Sequence, residues 1–413
     1  MPNFRRLWVA SAASSFGSEV SEIVLPLVAI TTLSASAAEV GWLRTAQFLP
    51  FLLVTLPFGV LVDRWRRRRL GMLVVADLGR FALFASIPLL IWAGLSDVRP
   101  LYPLLFAIGT LTVLYQVADF AFLPSVVRPA QLVDANGKMS ATASANEIAG
   151  RGLGGLLVQA ISAPIAVVVD AVAFGLSALC LRRIKVDQLQ ASQEGAAPWA
   201  PSGPAYRDAV AGLRYAVGDR YVRALLGEAT TYNLFNELFI LGLLLWTVRD
   251  LGLGAAAIGL IFTAGGLGSF LGAWFGSRVT RRFGYGRVLL ISMAIGNTAP
   301  LGTALADRAG DLALPLVCGL FALVGVGSGI ANVHAVSLRQ TTVPEPLRGQ
   351  VNAAYRLISW GAIPLGAAAG GLAAAQIGGR GAMLVGAVGV ATATAWVALS
   401  PVRRLRTIDD ARS

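Results

Sequence analysis

The sequence predicts an all-α membrane protein of twelve transmembrane helices, arranged as two pseudo-symmetric six-helix bundles. Three observations carry that expectation: an apolar composition, a regular succession of spans long enough to cross a bilayer, and an internal repeat. Of 413 residues, 56% are hydrophobic and 14% charged, and the mean hydropathy is +0.68. Length alone would allow two or three soluble domains, but that composition is too apolar for them.

A bilayer-crossing helix takes about 20 apolar residues. The first half offers such runs at 7–33, 40–62, 70–95, 101–127, 140–161 and 164–181, and the second at 224–248, 255–279, 288–305, 312–338, 351–377 and 382–399. The first run follows Arg5 and Arg6 as a signal peptide would. Its length, and Glu19 and Glu22 within it, mark it as a retained helix.

The net charge of +12 invites a nucleic-acid reading, which the placement of the charges removes. With the N-terminus in the cytoplasm, twenty-seven of the 34 basic residues fall on that side, from Arg5 and Arg6 through Arg66, Arg69, Arg128, Lys185 and Arg207 to Arg412. Arg99, Arg249, Arg308 and Arg380 fall opposite, and Arg44, Arg80 and Arg151 lie inside spans. The asymmetry follows the positive-inside rule and puts both termini in the cytoplasm of a multi-pass cell-membrane protein. Cys180 and Cys318 lie in separate apolar spans, where each reads as a small buried hydrophobe and no disulfide is implied.

The chain therefore divides into an N-terminal bundle over 1–181, a cytoplasmic linker over 182–223 and a C-terminal bundle with a short tail over 224–413. Within the linker, Tyr206, Val210, Leu213 and Val217 share one helical face, with Arg207, Arg214 and Arg220 placed for lipid headgroups. The halves repeat each other. The spacing from Asn136 to the pair Gly154 and Gly155 is the same as that from Asn352 to the pair Gly370 and Gly371. In that frame Gly150 falls on Gly366, and in a frame one position longer Gly59 and Arg64 fall on Gly276 and Arg281. Duplicated halves imply a pseudo-symmetric carrier with a site between its bundles that opens to each side in turn.

The segment Gly59-Val60-Leu61-Val62-Asp63-Arg64-Trp65-Arg66-Arg67-Arg68-Arg69 joins spans two and three. It resembles the signature loop of the major facilitator superfamily at Gly59, Leu61, Asp63, Arg64, Arg67 and Arg68, with Arg66 where the pattern has its later glycine. The resemblance implies the major facilitator fold, and a cytoplasmic conformational latch built from those residues and Arg281. Glycine would allow close helix approach, and Asp63 would accept from helix N-termini or arginine. A basic loop that only sets topology is the other reading. The second-half copy, Gly276 to Gly284, carries Thr280 in place of the aspartate, so the latch should be asymmetric.

Pro124 through Gly155, and Val343-Pro344-Glu345-Pro346-Leu347-Arg348-Gly349 with Val351-Asn352, resemble the drug, macrolide and siderophore exporter branch of that superfamily. The glycine-rich part of span five is similar to the antiporter motif, with Arg151 in place of its proline. Span four holds no basic residue, where many drug/proton antiporters carry an arginine.

Ionisable side chains inside spans are costly and by default pair, face a cavity or function. Glu19 and Glu22 lie roughly 20 to 25 Å along span one from Arg6, on one helical face. Two carboxylates there cannot both ionise cheaply, so the pair is a candidate proton exchanger. A passive pair neutralised by Arg151 is the alternative. Glu147 and Arg151 stand at i,i+4, which fits a helical ion pair. Arg151 is equally placed to answer Glu19, Glu22 or an anionic substrate group.

Asp77, Arg80 and Asp119 would make a buried triad, either structural or a proton relay. In span seven, Glu228, Asn233, Asn236 and Glu237 form a polar stripe, and Tyr232 and Phe235 share that span. The superfamily resemblance places these groups beside the substrate cavity. Asp170 has no evident partner in the sequence. His334, the only histidine, is expected to cap or sit at the interface rather than switch with pH.

One histidine and two separated cysteines make no zinc site, and no nucleophile sits in a catalytic motif. Neither lysine, Lys138 nor Lys185, follows a phosphate-loop glycine pattern. No enzyme activity, cofactor or metal is expected. The expected function is proton-coupled efflux of a small amphipathic organic molecule by a monomer, with the substrate, protons and membrane lipid as partners. A lipid or lysolipid flippase, an importer of an anionic nutrient through Arg151, and a non-transporting membrane sensor are the alternatives.

Overall fold

The computed structural model describes residues 2–127, 131–184, 205–344 and 347–411. Arg128, Lys185, Glu345, Pro346 and Arg412, and the side chains of Tyr206 and Arg207, lie outside the described residues. Thirteen α-helices follow one another, and no strand occurs among the described residues.

Helix α1 spans Pro2–Leu27 and continues as a wider π turn over Val28–Thr32, just after Pro26. Proline removes a backbone donor, and the ladder loosens around it. Helices α2 (Ala37–Leu53) and α3 (Thr55–Arg64) meet at a 48° bend. A reciprocal cap starts α2: Glu39 Oε2 accepts from the Ser36 N–H at 2.8 Å, and Ser36 Oγ accepts from the Glu39 N–H at 3.3 Å. Then come α4 (Arg69–Trp92), α5 (Leu101–Phe122), α6 (Leu132–Ile161) and α7 (Ala163–Arg182).

The second half runs α8 (Ala205–Gly218), α9 (Arg220–Leu245), α10 (Ala255–Phe283), α11 (Tyr285–Thr298), α12 (Ala313–Thr342) and α13 (Arg348–Ala398). Asp219 caps α9 by accepting from the N–H groups of Tyr221 and Val222. A π turn, Trp246–Asp250, extends α9, and a 3₁₀ segment, Ala299–Arg308, extends α11.

Every expected span falls on one of these helices, but the number twelve is not reproduced. Among the described residues nine helices are long and apolar enough to cross a membrane, or ten with the bent α2–α3 pair counted once. Two features account for the difference. Helix α6 carries Asp134, Lys138, Glu147 and Arg151, so its polarity keeps it out of the count. Helix α13 counts once, although Gly378, at φ 75 and ψ 167, breaks its 51 residues into two arms. In the frame that sets Gly150 on Gly366, the counterpart of Gly378 is Ser162, at φ 99 and ψ 153 between α6 and α7. The same backbone reversal therefore joins the last two helices of each half.

Two compact units emerge: Met1–Ala35 with Ala46–Ser202, and Ser36–Thr45 with Gly203–Ser413. In the first, α1 packs on α6 and α7, α4 on α5 and α7, and α3 on α5. In the second, α13 runs along α9, α10 pairs with α12, and α11 lies on α12 and α13. The opening turns of α2 count with the second unit, where Gly41 lies so close to α13 that a Cβ on it would stand 2.6 Å from Gly371 Cα. Amphipathic α8 also packs there: Gly212 abuts the Gln350 backbone, and the Tyr215 hydroxyl donates to the Thr342 carbonyl at 2.9 Å. Its Val210, Leu213 and Val217 remain exposed, a stripe suited to the lipid interface.

Large apolar side chains stay exposed throughout, Phe120 at 80% and Leu399 at 84% among them. In water such surface would aggregate; against hydrocarbon it is the matching solvent face.

Candidate functional site

In the first unit, the glycine-rich stretch of α6 brings its backbone against α1. A Cβ at Gly150 would lie 2.6 Å from the Glu19 Cβ, and one at Gly154 would lie 3.1 Å from the Val20 carbonyl oxygen. That approach sets Arg151 beside Glu19, and its Nε donates to Glu19 Oε2 at 2.9 Å. Its Nη1 stands 3.5 Å from Glu147 Oε1, so both expected pairings of Arg151 form at once. Glu22 adds a further carboxylate within electrostatic reach of Glu19 and Arg151. Glu19 and Glu147 share one half-buried guanidinium, an excess of negative charge that a proton or an organic cation relieves.

One layer away lies a fully buried polar group. Asp77 and Arg80, on successive turns of α4, form an ion pair, and Ser14 of α1 donates to Asp77 Oδ1 at 3.3 Å while accepting from Arg80 Nη2 at 2.8 Å. The Arg80 guanidinium lies 4.5 Å from the Tyr115 ring and 4.4 Å from the Phe174 ring, so its faces are covered by aromatic carbon. Asp119 is not bonded to Arg80 as a triad would require. It accepts instead from Ser11 Oγ of α1 at 3.3 Å, with Asp77 and Arg80 of α4 in electrostatic reach. Asp170 of α7 is completely buried, and neither carboxyl oxygen has a hydrogen-bond partner among the described residues.

In the second unit the span-seven stripe on α9 divides. Glu237 does not stand open to a substrate. It is 9% exposed and bidentate to Arg44, whose Nη2 lies 2.9 Å from each carboxylate oxygen. The Asn233 side chain donates to the Ser359 carbonyl at 2.7 Å. Phe235, half-buried, packs its ring over Gly389. Tyr232 and Asn236 are half-buried on the same helix. Glu228, a turn and a half nearer the start of α9, accepts from Asn297 Nδ2 at 3.3 Å.

The family model described as "Transmembrane secretion effector" (MFS_3) matches residues 1–413. The chain belongs to this family of major facilitator transporters. It is 29% identical to an uncharacterised MFS-type transporter of Mycobacterium tuberculosis over 87% of this chain and 82% of that one. To the multidrug efflux pump Tap of Mycolicibacterium fortuitum it is 27% identical over 86% of this chain and 85% of that one. Among solved structures, a bacterial homologue of the human lysosomal transporter Spinster superposes with a TM-score of 0.71 at 15% identity, covering 97% and 96% of the two chains. A bacterial homologue of the iron transporter ferroportin gives 0.66 at 17% identity, covering 96% and 98%. Those likenesses establish the major facilitator fold. The protein is a transporter of small molecules, integral to a membrane.

In the facilitator signature loop an arginine meets the aspartate, one of the two partners expected for it. Among the described residues nothing lies within 4 Å of a Cβ built on Gly59. Asp63 pairs with Arg69 at 3.1 Å. Arg69 also donates to the carbonyls of Val62 at 3.2 Å and Ala121 at 2.8 Å, tying α3 to α4 and α5. Arg68 stacks over Trp65, and Arg281 is exposed near the end of α10. At the repeat position of Asp63, Thr280 meets His334 Nε2 at 2.5 Å. His334 of α12 is 5% exposed, packed against α10 and α11. Its contact with Thr280 stands at the repeat position of the Asp63–Arg69 ion pair.

Arg44 is the site residue that sequence reasoning passed over. Its signal was an in-span arginine without an assigned acid, at the same time as Glu237 was an in-span acid without an assigned base.

Proposed function

We propose that this transporter exports small amphipathic organic molecules from the cytoplasm across the cell membrane in exchange for protons, by alternating access. The observation that carries the reading is the excess of carboxylates around Arg151: Glu19 at 2.9 Å and Glu147 at 3.5 Å, with Glu22 in electrostatic reach. A site short of positive charge holds a proton or a cationic or dipolar drug, and occupation by one disfavours the other. Competition of that kind is the minimum an exchanger needs. Tap, aligned along 86% of this chain, is a multidrug efflux pump, which supports outward transport and organic substrates. The distribution of basic residues supports cytoplasmic termini.

An importer of anions through Arg151 fits less well, because both Glu19 and Glu147 already engage that guanidinium. The test is accumulation of a fluorescent amphipathic cation in cells with and without the protein, before and after an uncoupler. The reading expects lower accumulation in expressing cells, and loss of that difference once the proton gradient collapses. A difference that persists after uncoupling contradicts it.

A further inference from the structure

The repeat extends from backbone to buried side chains. Two positions of the polar layer in the first unit recur in the second, in the register that sets Gly59 on Gly276: Ser11 at Glu228 and Arg80 at Asn297. In the second unit these two meet directly. Asn297 Nδ2 lies 3.3 Å from Glu228 Oε1 and 3.1 Å from Thr394 Oγ1, joining α9, α11 and the second arm of α13. The acids of the first layer have no counterparts: Asp77 corresponds to Ala294 and Asp119 to Val336.

The residues change while the charge balance does not. The first layer holds two carboxylates, Asp77 and Asp119, against Arg80; the second holds Glu228 with an asparagine where the arginine would be. Each therefore has one carboxylate more than it has cations. We propose that Glu228 is a proton-binding site, the repeat counterpart of the layer around Asp77, Arg80 and Asp119 and separate from the carboxylates around Arg151.

Uncharged groups surround Glu228 most closely. Asn297 and Thr394 face it from α11 and α13, and neither carries charge. Tyr355, from the first arm of α13, stands within electrostatic range, and its hydroxyl donates to the Leu225 carbonyl at 3.0 Å. The cation next in line, Arg339 of α12, lies 4.0 Å over the Tyr355 ring and forms no ion pair among the described residues. No ion pair reaches Glu228 among them either. A half-buried carboxylate inside an apolar span with one amide donor lacks the compensation an anion requires there. Oε1 receives the asparagine amide, which leaves Oε2 to take up the proton.

The coupling role of this proton rests on the export reading above, but its binding is measured without any drug, so the two fail separately. Infrared difference spectra of the purified, lipid-reconstituted protein, recorded through a pH step, report protonated carboxyl groups by their carbonyl stretch. The wild type should show a carboxyl band at neutral pH that disappears at alkaline pH. Glu228→Gln, which keeps the oxygen facing Asn297, should lose one carboxyl of that intensity, and Glu228→Asp should shift the band in frequency. Asp119→Asn should remove a separate contribution. Unchanged spectra in both Glu228 variants would overturn the proposal.

Discussion

Arg151 of α6 donates to Glu19 of α1 at 2.9 Å from the place where the related antiporter motif has proline. One substitution thus exchanges a helix-bending residue for an ionic tie between two helices. Removing the guanidinium strands Glu19 and Glu147 without a partner. Arg151→Gln should lower stability by about 1–2 kcal/mol, less than a fully buried pair costs because both partners are partly exposed. Thermal melts in detergent check this. Because the two acids would then bind protons more readily, the double variant Glu19→Gln/Arg151→Gln should recover part of the loss, a coupling that the mutant cycle measures.

Asp77 and Arg80 are 0% and 1% exposed, so the cost of breaking that pair is not shared with water. Asp77→Ala should destabilise by about 3–5 kcal/mol, through an uncompensated buried arginine. Asp77→Ala/Arg80→Leu should be markedly more stable than the single variant, seen as recovered membrane expression and melting temperature. A single variant as stable as wild type would mean that Arg80 finds Asp119 instead.

How far the sequence disclosed this arrangement follows from what each contact depends on. Spans were legible because hydrocarbon leaves the backbone no partner but itself and demands long apolar runs. Asp77 with Arg80 and Glu147 with Arg151 were legible because helical periodicity alone brings i,i+3 and i,i+4 residues together. Arg44 with Glu237 was not, since 193 residues separate them and only the packing of Gly41 against Gly371 makes them neighbours. Ser11 and Ser14 carried no signal either, as a hydroxyl in a helix ordinarily bonds its own backbone. Helix α6 began at Leu132 instead of residue 140 because an exposed turn, tied by Lys138 to Asp134 at 2.8 Å, precedes its apolar part.

Ser162 and Gly378 share a left-handed backbone conformation at equivalent places, but only one of them is glycine. Side-chain residues there carry strain of order 1–3 kcal/mol. Ser162→Gly should therefore raise stability by about 1 kcal/mol, and Gly378→Ala should lower it by a similar amount or more. Paired thermal melts decide it, and a shift of the same sign in both would contradict the assignment.

At the chain's end, Asp410 accepts from the Thr407 N–H at 3.0 Å, the Thr407 hydroxyl at 2.8 Å and the Arg406 N–H at 2.8 Å. These bonds, led by that from the Thr407 backbone, hold the carboxyl below the usual carboxylate range. A lowered value means that the anion favours the folded tail. The contribution is complete above the ordinary aspartate range and is lost as pH falls through the lowered one. Amide protection factors at Arg406 and Thr407 should be high near neutral pH, fall in acid, and be low at every pH in Asp410→Ala.

The central claim, that protons drive export through the carboxylates around Arg151, is tested most directly in proteoliposomes holding purified protein and a pH-sensitive dye. With a pH gradient imposed, addition of an amphipathic cation should move protons and drug in opposite directions, and Glu19→Gln should abolish the drug-dependent proton flux. Drug movement in the wild type without any proton flux, or with an unaltered flux in Glu19→Gln, would contradict the account.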